Sequence, residues 1–287
     1  MTTSPLLFKY IGLKYGPDNL TKRRWRLSRI SSFNDPFDFM PRLAERKVTV
    51  EEMKQEILHG ELHRILSLRV INQHGVTGTE AASDYIRTNL DASVESGLKI
   101  AQATSSQLIS ESQETADIFA RAVCFTHSDI EQSDEVLMWS HYGQSHEGIR
   151  VGFQFPQGLH SLSEVHYQEE RVEVYLGARP ASQPELDEAL QKIMFTKSKA
   201  WDYEKEYRML VLSEAWTKDS SLPPPDNEFL TIDPLWVVNV AFGAKVDRKM
   251  AESKAHELSA IYPHVEWLLA EYHPTEFSLV YKPLPKM

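Results

Sequence analysis

Apolar residues along this chain recur with two periods, and the changes from one to the other mark out its elements. The run Leu6-Leu7-Phe8-Lys9-Tyr10-Ile11 is dense in apolar and aromatic residues and predicts a first strand. Pro17-Asp18-Asn19-Leu20 predicts a turn into a short helix or loop. A second extended piece, Leu27 to Phe33, stops at Asn34-Asp35-Pro36, where Asn and Asp bond their own backbone and Pro fixes the next φ. From about Ala44 to Arg121 proline is absent, glycine is sparse and apolar residues take helical spacing. That segment predicts several helices, with Gly75-Val76-Thr77-Gly78 as a connector.

Strand-type runs resume at Ala122–Thr126, Ile149–Phe155, Glu164–Tyr175, Tyr203–Leu212 and Trp236–Phe242. Between the first two, a helix is expected from Asp134 to Gln144 with Ser133 as its N-cap. Ser220 to Asn227 reads as a surface loop, and the tail reads as a helix from Asp247 to Ile261 with strands at Val265–Leu269 and Phe277–Tyr281. The sum predicts a single α+β domain over residues 1–287, with a mixed, mainly antiparallel sheet and a helical insertion at 44–121.

Composition narrows the classes. Hydrophobic content of 41% with 10% aromatics is globular, and a net charge of −10 argues against a dedicated nucleic-acid binder. The single cysteine, Cys124, excludes an internal disulfide and a multi-Cys zinc site. No secretory signal is visible at the N-terminus, and no apolar run approaches the roughly 20 residues of a membrane span. A cytoplasmic protein without membrane contact is the expectation.

The chemistry concentrates in Trp201-Asp202-Tyr203-Glu204-Lys205-Glu206-Tyr207-Arg208. In a strand from Tyr203 to Leu212, Glu204, Glu206 and Arg208 share one face, and Tyr203, Tyr207, Met209 and Val211 share the other. Paired carboxylates can split their pKa values and serve as acid and base, or stabilise an oxocarbenium ion at a ribose. The alternative is a Glu206–Arg208 pair that seals a sheet edge.

Other constellations have two readings each. Trp139, Tyr142 and His146 fall on one side of the expected helix, as an aromatic wall with His146 and Glu147 at a pocket rim or as ordinary core. Asn34-Asp35-Pro36-Phe37-Asp38 forms a cap and turn that could also present carboxylates to a ligand or metal. His59 and His63 have metal-chelating spacing, but Glu61 is misplaced for the zinc-protease pattern, so a solvated helix face is simpler and no metal is predicted. Arg23, Arg24, Arg26 and Arg29 around Trp25 form the one basic cluster, either a phosphate or nucleic-acid contact or a solvated face. Cys124 reads as a buried, inert thiol.

Taken in order, Phe8-Lys9-Tyr10, Phe33-Asn34-Asp35-Pro36-Phe37-Asp38, Cys124-Phe125-Thr126, Met138-Trp139-Ser140-His141-Tyr142 with Glu147-Gly148-Ile149, and the Trp201–Arg208 stretch resemble a widespread prokaryotic family catalogued only as a domain of unknown function. The likeness covers most of the chain outside the helical insertion. A more distant likeness is to the ADP-ribosyltransferases, which carry Arg or His on one strand, a hydroxyl residue on a later one and a catalytic Glu in an E-x-E pair. That likeness implies an ADP-ribosyltransferase-like fold and an enzyme using NAD or a related nucleotide on an acceptor macromolecule, in a bacterial toxin or phage-defence setting. It implies Glu206 as catalytic carboxylate and Glu204 as its orienting neighbour. Lys9, Tyr10, Thr126 and Arg208 would contact the cofactor, with Trp139 or Tyr142 stacked on nicotinamide and Asn34, Asp35 and His141 on the substrate side. Lys9 departs from the Arg or His of that superfamily. Two other readings stand beside it: a non-catalytic nucleotide- or protein-binding sensor, and a nucleic-acid-processing enzyme using Arg23, Arg24 and Arg26 with Asp35 and Asp38.

Overall fold

The computed structural model describes residues 4–44, 49–96, 120–159, 161–175, 183–212 and 228–285. Its Cα packing separates into two compact units: Met1–Asp38, Asp117–Glu169 and Lys197–Met287 form the first, and Phe39–Ala116 with Glu170–Thr196 the second.

The first unit is built on a nine-stranded, mainly antiparallel sheet among the described residues. From one edge the strands run Leu279–Pro283, Glu266–Tyr272, Val237–Phe242, Ile149–Gln154, Leu6–Ile11, Ala120–His127, Glu206–Leu212 and Leu162–Glu164. The ninth, Ser28–Arg29, also pairs with Ala120–His127. The only parallel pair in it joins Val237–Phe242 to Glu266–Tyr272, through the helix Arg248–Ser259.

Alternation then sorts the side chains. Leu7, Phe125, Phe153, Met209 and Val211 fall on one face, in the large apolar cluster that also holds Ala251, Ala255 and Leu258 of that helix. Phe8 and Tyr10 fall on the other, packed on Met138 and Trp139 of the helix Gln132–His141. Each such buried side chain stabilises the fold by about 1.5–3 kcal/mol. Cross-strand partners share a face, and Thr126 is in register with both Phe8 and Glu206. Glu206 and Arg208 therefore project on the Phe8/Tyr10 side.

Several expected elements shift for local reasons. The strand expected from Tyr203 begins only at Glu206: residues Lys199–Glu204 form a 3-10 helix, and Lys205 at φ 45° turns the chain. Leu27 to Phe33 is not one extended piece, because the Ser32 hydroxyl donates to the Arg29 carbonyl at 2.6 Å and supports a 3-10 turn over Ile30–Ser32. The helix expected from Asp134 starts at Gln132 with Glu131 rather than Ser133 at the N-cap, which puts Asp134 and Glu135 in the first turn, where the helix dipole favours acids. Glu164 to Tyr175 breaks into Leu162–Glu164, His166–Gln168 and Glu173–Tyr175, first at Val165 and then at the polar run Glu169-Glu170-Arg171.

In the second unit, the helices Val50–His59, Glu61–His74 and Thr79–Thr88 bury Met53, Ile57, Leu66, Val70, Ala82 and Ile86 together. Thr49 and Glu52 close a capping box on the first, and Gly75 at φ 66° opens the connector expected from sequence. His59 and His63 sit on different helices, and His63 is held by the Ile57 carbonyl and Ser83 hydroxyl, each at 2.8 Å. The later part of the expected insertion, 97–119, and the expected loop at 220–227 lie outside the described residues.

Candidate functional site

A gap in the hydrogen-bond ladder makes the site. Leu6–Ile11 pairs along its whole length with Ile149–Gln154, but with Ala120–His127 only at Leu7–His127 and Phe8–Thr126. At its other end Ala120–His127 is met by Ser28 and Arg29 opposite Ala122 and Arg121. Between these two stretches the edge at Val123 to Phe125 faces an opening, and there the Lys9 ammonium reaches across to the Cys124 carbonyl at 2.9 Å.

A cavity of about 250 Å³ occupies the opening. Phe8, Lys9 and Tyr10 line it from one strand and Cys124, Phe125 and Thr126 from the other. Phe33 and Asn34 supply another wall, Met138 and Tyr142 a third, and Lys197, Glu204 and Glu206 contribute the charged groups.

Those charged groups arrive from separate elements. Lys197, on the short strand Thr196–Ser198, donates to Glu204 Oε2 at 2.6 Å and to Glu206 Oε2 at 3.0 Å. Arg208, wholly buried, bonds Glu206 Oε1 through Nε at 2.7 Å and grips Asp38 with both terminal nitrogens at 2.9 and 2.6 Å. The Asn34–Asp38 turn sets up that grip: Asp35 Oδ1 accepts from the Phe37 amide at 2.9 Å, and the Asp38 amide donates to the Asp35 carbonyl at 3.2 Å. On the cavity side, Asn34 Nδ2 donates to the Tyr142 oxygen at 2.5 Å, and the Tyr142 hydroxyl donates to Glu204 Oε1 at 2.6 Å.

The two carboxylates are driven apart in acidity. Burial pushes Glu206 up, but Arg208 and then Lys197 outweigh it and hold the group at about 2. Glu204 is raised, because burial and the Glu206 charge prevail over Lys197 and the Tyr142 hydroxyl. The two lysines diverge too: burial lowers Lys9, whereas the two carboxylates overcome burial and raise Lys197. Burial and the Glu206 charge raise the Cys124 thiol well above its usual value, although the residue is only partly buried and lines the cavity rather than lying buried as expected. The result is two carboxylates and two amines of one cavity shifted in opposite directions: Glu206 down and Glu204 up, Lys9 down and Lys197 up.

Residues 138–209 match the family model described as Protein of unknown function (DUF2971). No curated protein and no solved structure matches the chain. The DUF2971 segment carries Tyr142, Lys197, Glu204, Glu206 and Arg208, whereas Lys9, Asn34, Asp38 and Thr126 come from outside it. The chemistry of the cavity thus joins the matched segment to the two strands that part beside it.

Among the residues singled out from sequence, Lys9, Tyr10, Asn34, Thr126, Tyr142, Glu204 and Glu206 all line the cavity. Four others lie elsewhere. Trp139 is fully buried, donating to the Tyr281 hydroxyl at 2.9 Å, and Asp35 is buried in its turn. His141 is exposed, its ring 6.3 Å from that of Tyr203, and Arg208 stands behind Glu206. Of the basic cluster, Arg26 and Arg29 pair with Glu228 at 3.5 and 3.3 Å, and the Arg24 guanidinium lies 4.5 Å from the Phe229 ring centre. Lys197 carries no signal in the sequence beyond its nearness to Glu204 and Glu206, because its short strand shares no periodicity with that stretch. Among the described residues no helix is long and apolar enough to cross a membrane.

Proposed function

We propose that the protein is an ADP-ribosyltransferase-like enzyme that breaks the bond between nicotinamide and ribose in NAD or a related nucleotide. The observation that carries this reading is the carboxylate of Glu206, held by Arg208 at 2.7 Å and Lys197 at 3.0 Å on the wall of a cavity flanked by aromatic rings. A fixed anion beside a ribosyl carbon stabilises the positive charge that develops as nicotinamide leaves. Glu204, tied to Tyr142 and Lys197, orients the pair, and the rings of Phe33, Tyr10 and Tyr142 offer flat surfaces to a nicotinamide. At about 250 Å³ the cavity lies just below the roughly 300–1,000 Å³ of drug-sized sites, so it suits the nicotinamide–ribose end of the nucleotide rather than the whole. The toxin or phage-defence setting enters this reading on the resemblance alone.

The test is direct. Purified protein incubated with labelled NAD and cell extract should release nicotinamide and label an acceptor. Glu206→Gln should lower release by roughly 10²–10³-fold, the range seen when a single charge-stabilising group is lost, with an unchanged circular dichroism spectrum. Wild-type protein that never releases nicotinamide from NAD or its nucleotide relatives overturns the reading.

One observation favours a second reading, a nucleotide-binding sensor without turnover. Every carboxylate oxygen of Glu204 and Glu206 already accepts a hydrogen bond, from Tyr142, Lys197 or Arg208. Saturable nucleotide binding without nicotinamide release is the result that selects it.

A further inference from the structure

The cavity holds two lysines in opposite surroundings. Lys197 lies between two carboxylates and 4.9 Å from the Trp201 ring centre. Lys9 has neither carboxylate in hydrogen-bonding contact among the described residues: it meets the Cys124 carbonyl at 2.9 Å and the Phe125 ring centre at 5.8 Å. It crosses the opening where the two strands part and lines the cavity that the opening creates. Burial lowers the Lys9 pKa from its usual value against the opposing pull of Cys124 and Glu206, which makes loss of its proton easier than from a solvated lysine. Once deprotonated, the amine can donate one N–H to the Cys124 carbonyl and keep a lone pair for a guest. Enclosure among apolar rings is the environment that activates lysines for attack on carbonyl carbon.

We infer that Lys9 is an amine nucleophile that condenses with the open-chain aldehyde of a sugar held in the cavity. The Lys9 nitrogen pair forms the C–N bond, the C=O π pair moves to oxygen, and the carbinolamine then loses that oxygen as water. Both protons that leave nitrogen depart with that water, so amine and aldehyde give imine and one water, with no oxidant or reductant consumed. Glu204 lines the same cavity and can relay one of those protons from nitrogen to the departing hydroxyl, taking it up and passing it on so that its own charge is unchanged, while Glu206 stays anionic. Asn34, Thr126 and Tyr142 supply the polar groups that a polyol requires. The inference rests on the transferase reading for the sugar and on nothing else in it, because the condensation needs neither NAD nor an acceptor.

The experiment traps the imine. Full-length protein is incubated at pH 7 with D-ribose and cyanoborohydride, and the modified peptides are mapped by mass spectrometry. Lys9 should carry one reduced pentose at a time when the exposed Lys249 is still largely unmodified. Lys9→Arg should lose that adduct and keep the slow surface labelling. Wild-type mapping needs no variant to fold and decides alone: adducts spread over surface lysines with Lys9 unmodified overturn the proposal. Nicotinamide release with Lys9 unlabelled refutes the nucleophile and spares the transferase. Labelled Lys9 in a protein that never releases nicotinamide does the reverse.

Discussion

The first unit buries two charge networks of similar ingredients among the described residues, and one of them sets its carboxylates on the cavity wall. In the closed network, Arg150 pairs with Glu135 and its guanidinium lies 4.0 Å from the Phe8 ring centre and 4.1 Å from that of Tyr281. Glu135 also accepts from the hydroxyls of Tyr281 at 2.6 Å and Tyr10 at 3.3 Å, and Trp139 donates to the Tyr281 oxygen at 2.9 Å. One cation meets one carboxylate there, and neutral donors complete the shell. The open network sets Glu204, Glu206 and Asp38 against Lys197 and Arg208, an excess of acid that borders empty space. Burial and ion pairing are common to both. What separates them is the surplus carboxylate together with room for a guest, and Tyr10, which belongs to the closed network and also lines the cavity, marks where they touch.

The largest effect should come from the closed network. Arg150→Met strands Glu135 among neutral donors, and breaking a buried pair from one side costs about 3–5 kcal/mol. Lys197→Met should cost less, about 1–3 kcal/mol, because Glu204 adjoins the cavity and keeps its bond from Tyr142 while Arg208 still holds Glu206. Urea denaturation at neutral pH measures both. Equal losses would mean that the cavity gives the open network no relief, and the contrast between the two would collapse.

Acid should expose the open network next. Glu206 is held at about 2 in the fold against 4.5 for the free side chain. A depressed value contributes stability that is complete above the unfolded pKa and disappears as the pH falls through the folded one. The contribution, about 3 kcal/mol, is therefore expected in full above pH 4.5 and lost between there and pH 2. Glu204 and Asp38 are raised, so their sign is opposite: acid relieves them first and offsets part of the loss. Glu206→Gln should flatten the low-pH limb of the urea-midpoint profile, and a variant with an unchanged limb would refute the assignment.

Much of this frame is legible in the sequence because it is written locally. Leu6–Ile11 is a strand over the expected residues, and Asp247 caps the helix Arg248–Ser259 through its bond to the Met250 amide at 3.0 Å. The alternation from Glu206 to Val211 puts Tyr207, Met209 and Val211 toward the core, as their apolar character requires. Glu204 is different. It meets Glu206 through a 3-10 turn and a left-handed Lys205 rather than by alternation, so the expected pairing was right in neighbourhood and wrong in mechanism. The gap in the ladder left no trace, since no residue pattern in Leu6–Ile11 or Ala120–His127 states where two strands part. Lys197 and the Asp38–Arg208 clamp depend on that long-range geometry and were invisible for the same reason.

The smallest effect belongs to a third cluster, which tests whether enclosure, rather than charge density, is what matters. The side chains of Arg26 and Arg29 are 69% and 57% exposed and share one carboxylate, Glu228. Exposed pairs of this kind contribute about 0–1 kcal/mol and are screened by salt. The double variant R26A/R29A should therefore shift unfolding by less than about 1 kcal/mol, and the shift should vanish in molar salt. The same variant probes the nucleic-acid reading, because a phosphate at these guanidiniums would have to compete with Glu228 in a protein of net charge −10. Binding to a generic RNA that is weak in the wild type and unchanged in the variant leaves the enclosed cavity as the place where charge acts. Tight, salt-sensitive binding lost in the variant would move the function to this surface, and enclosure would no longer separate the working charges from the structural ones.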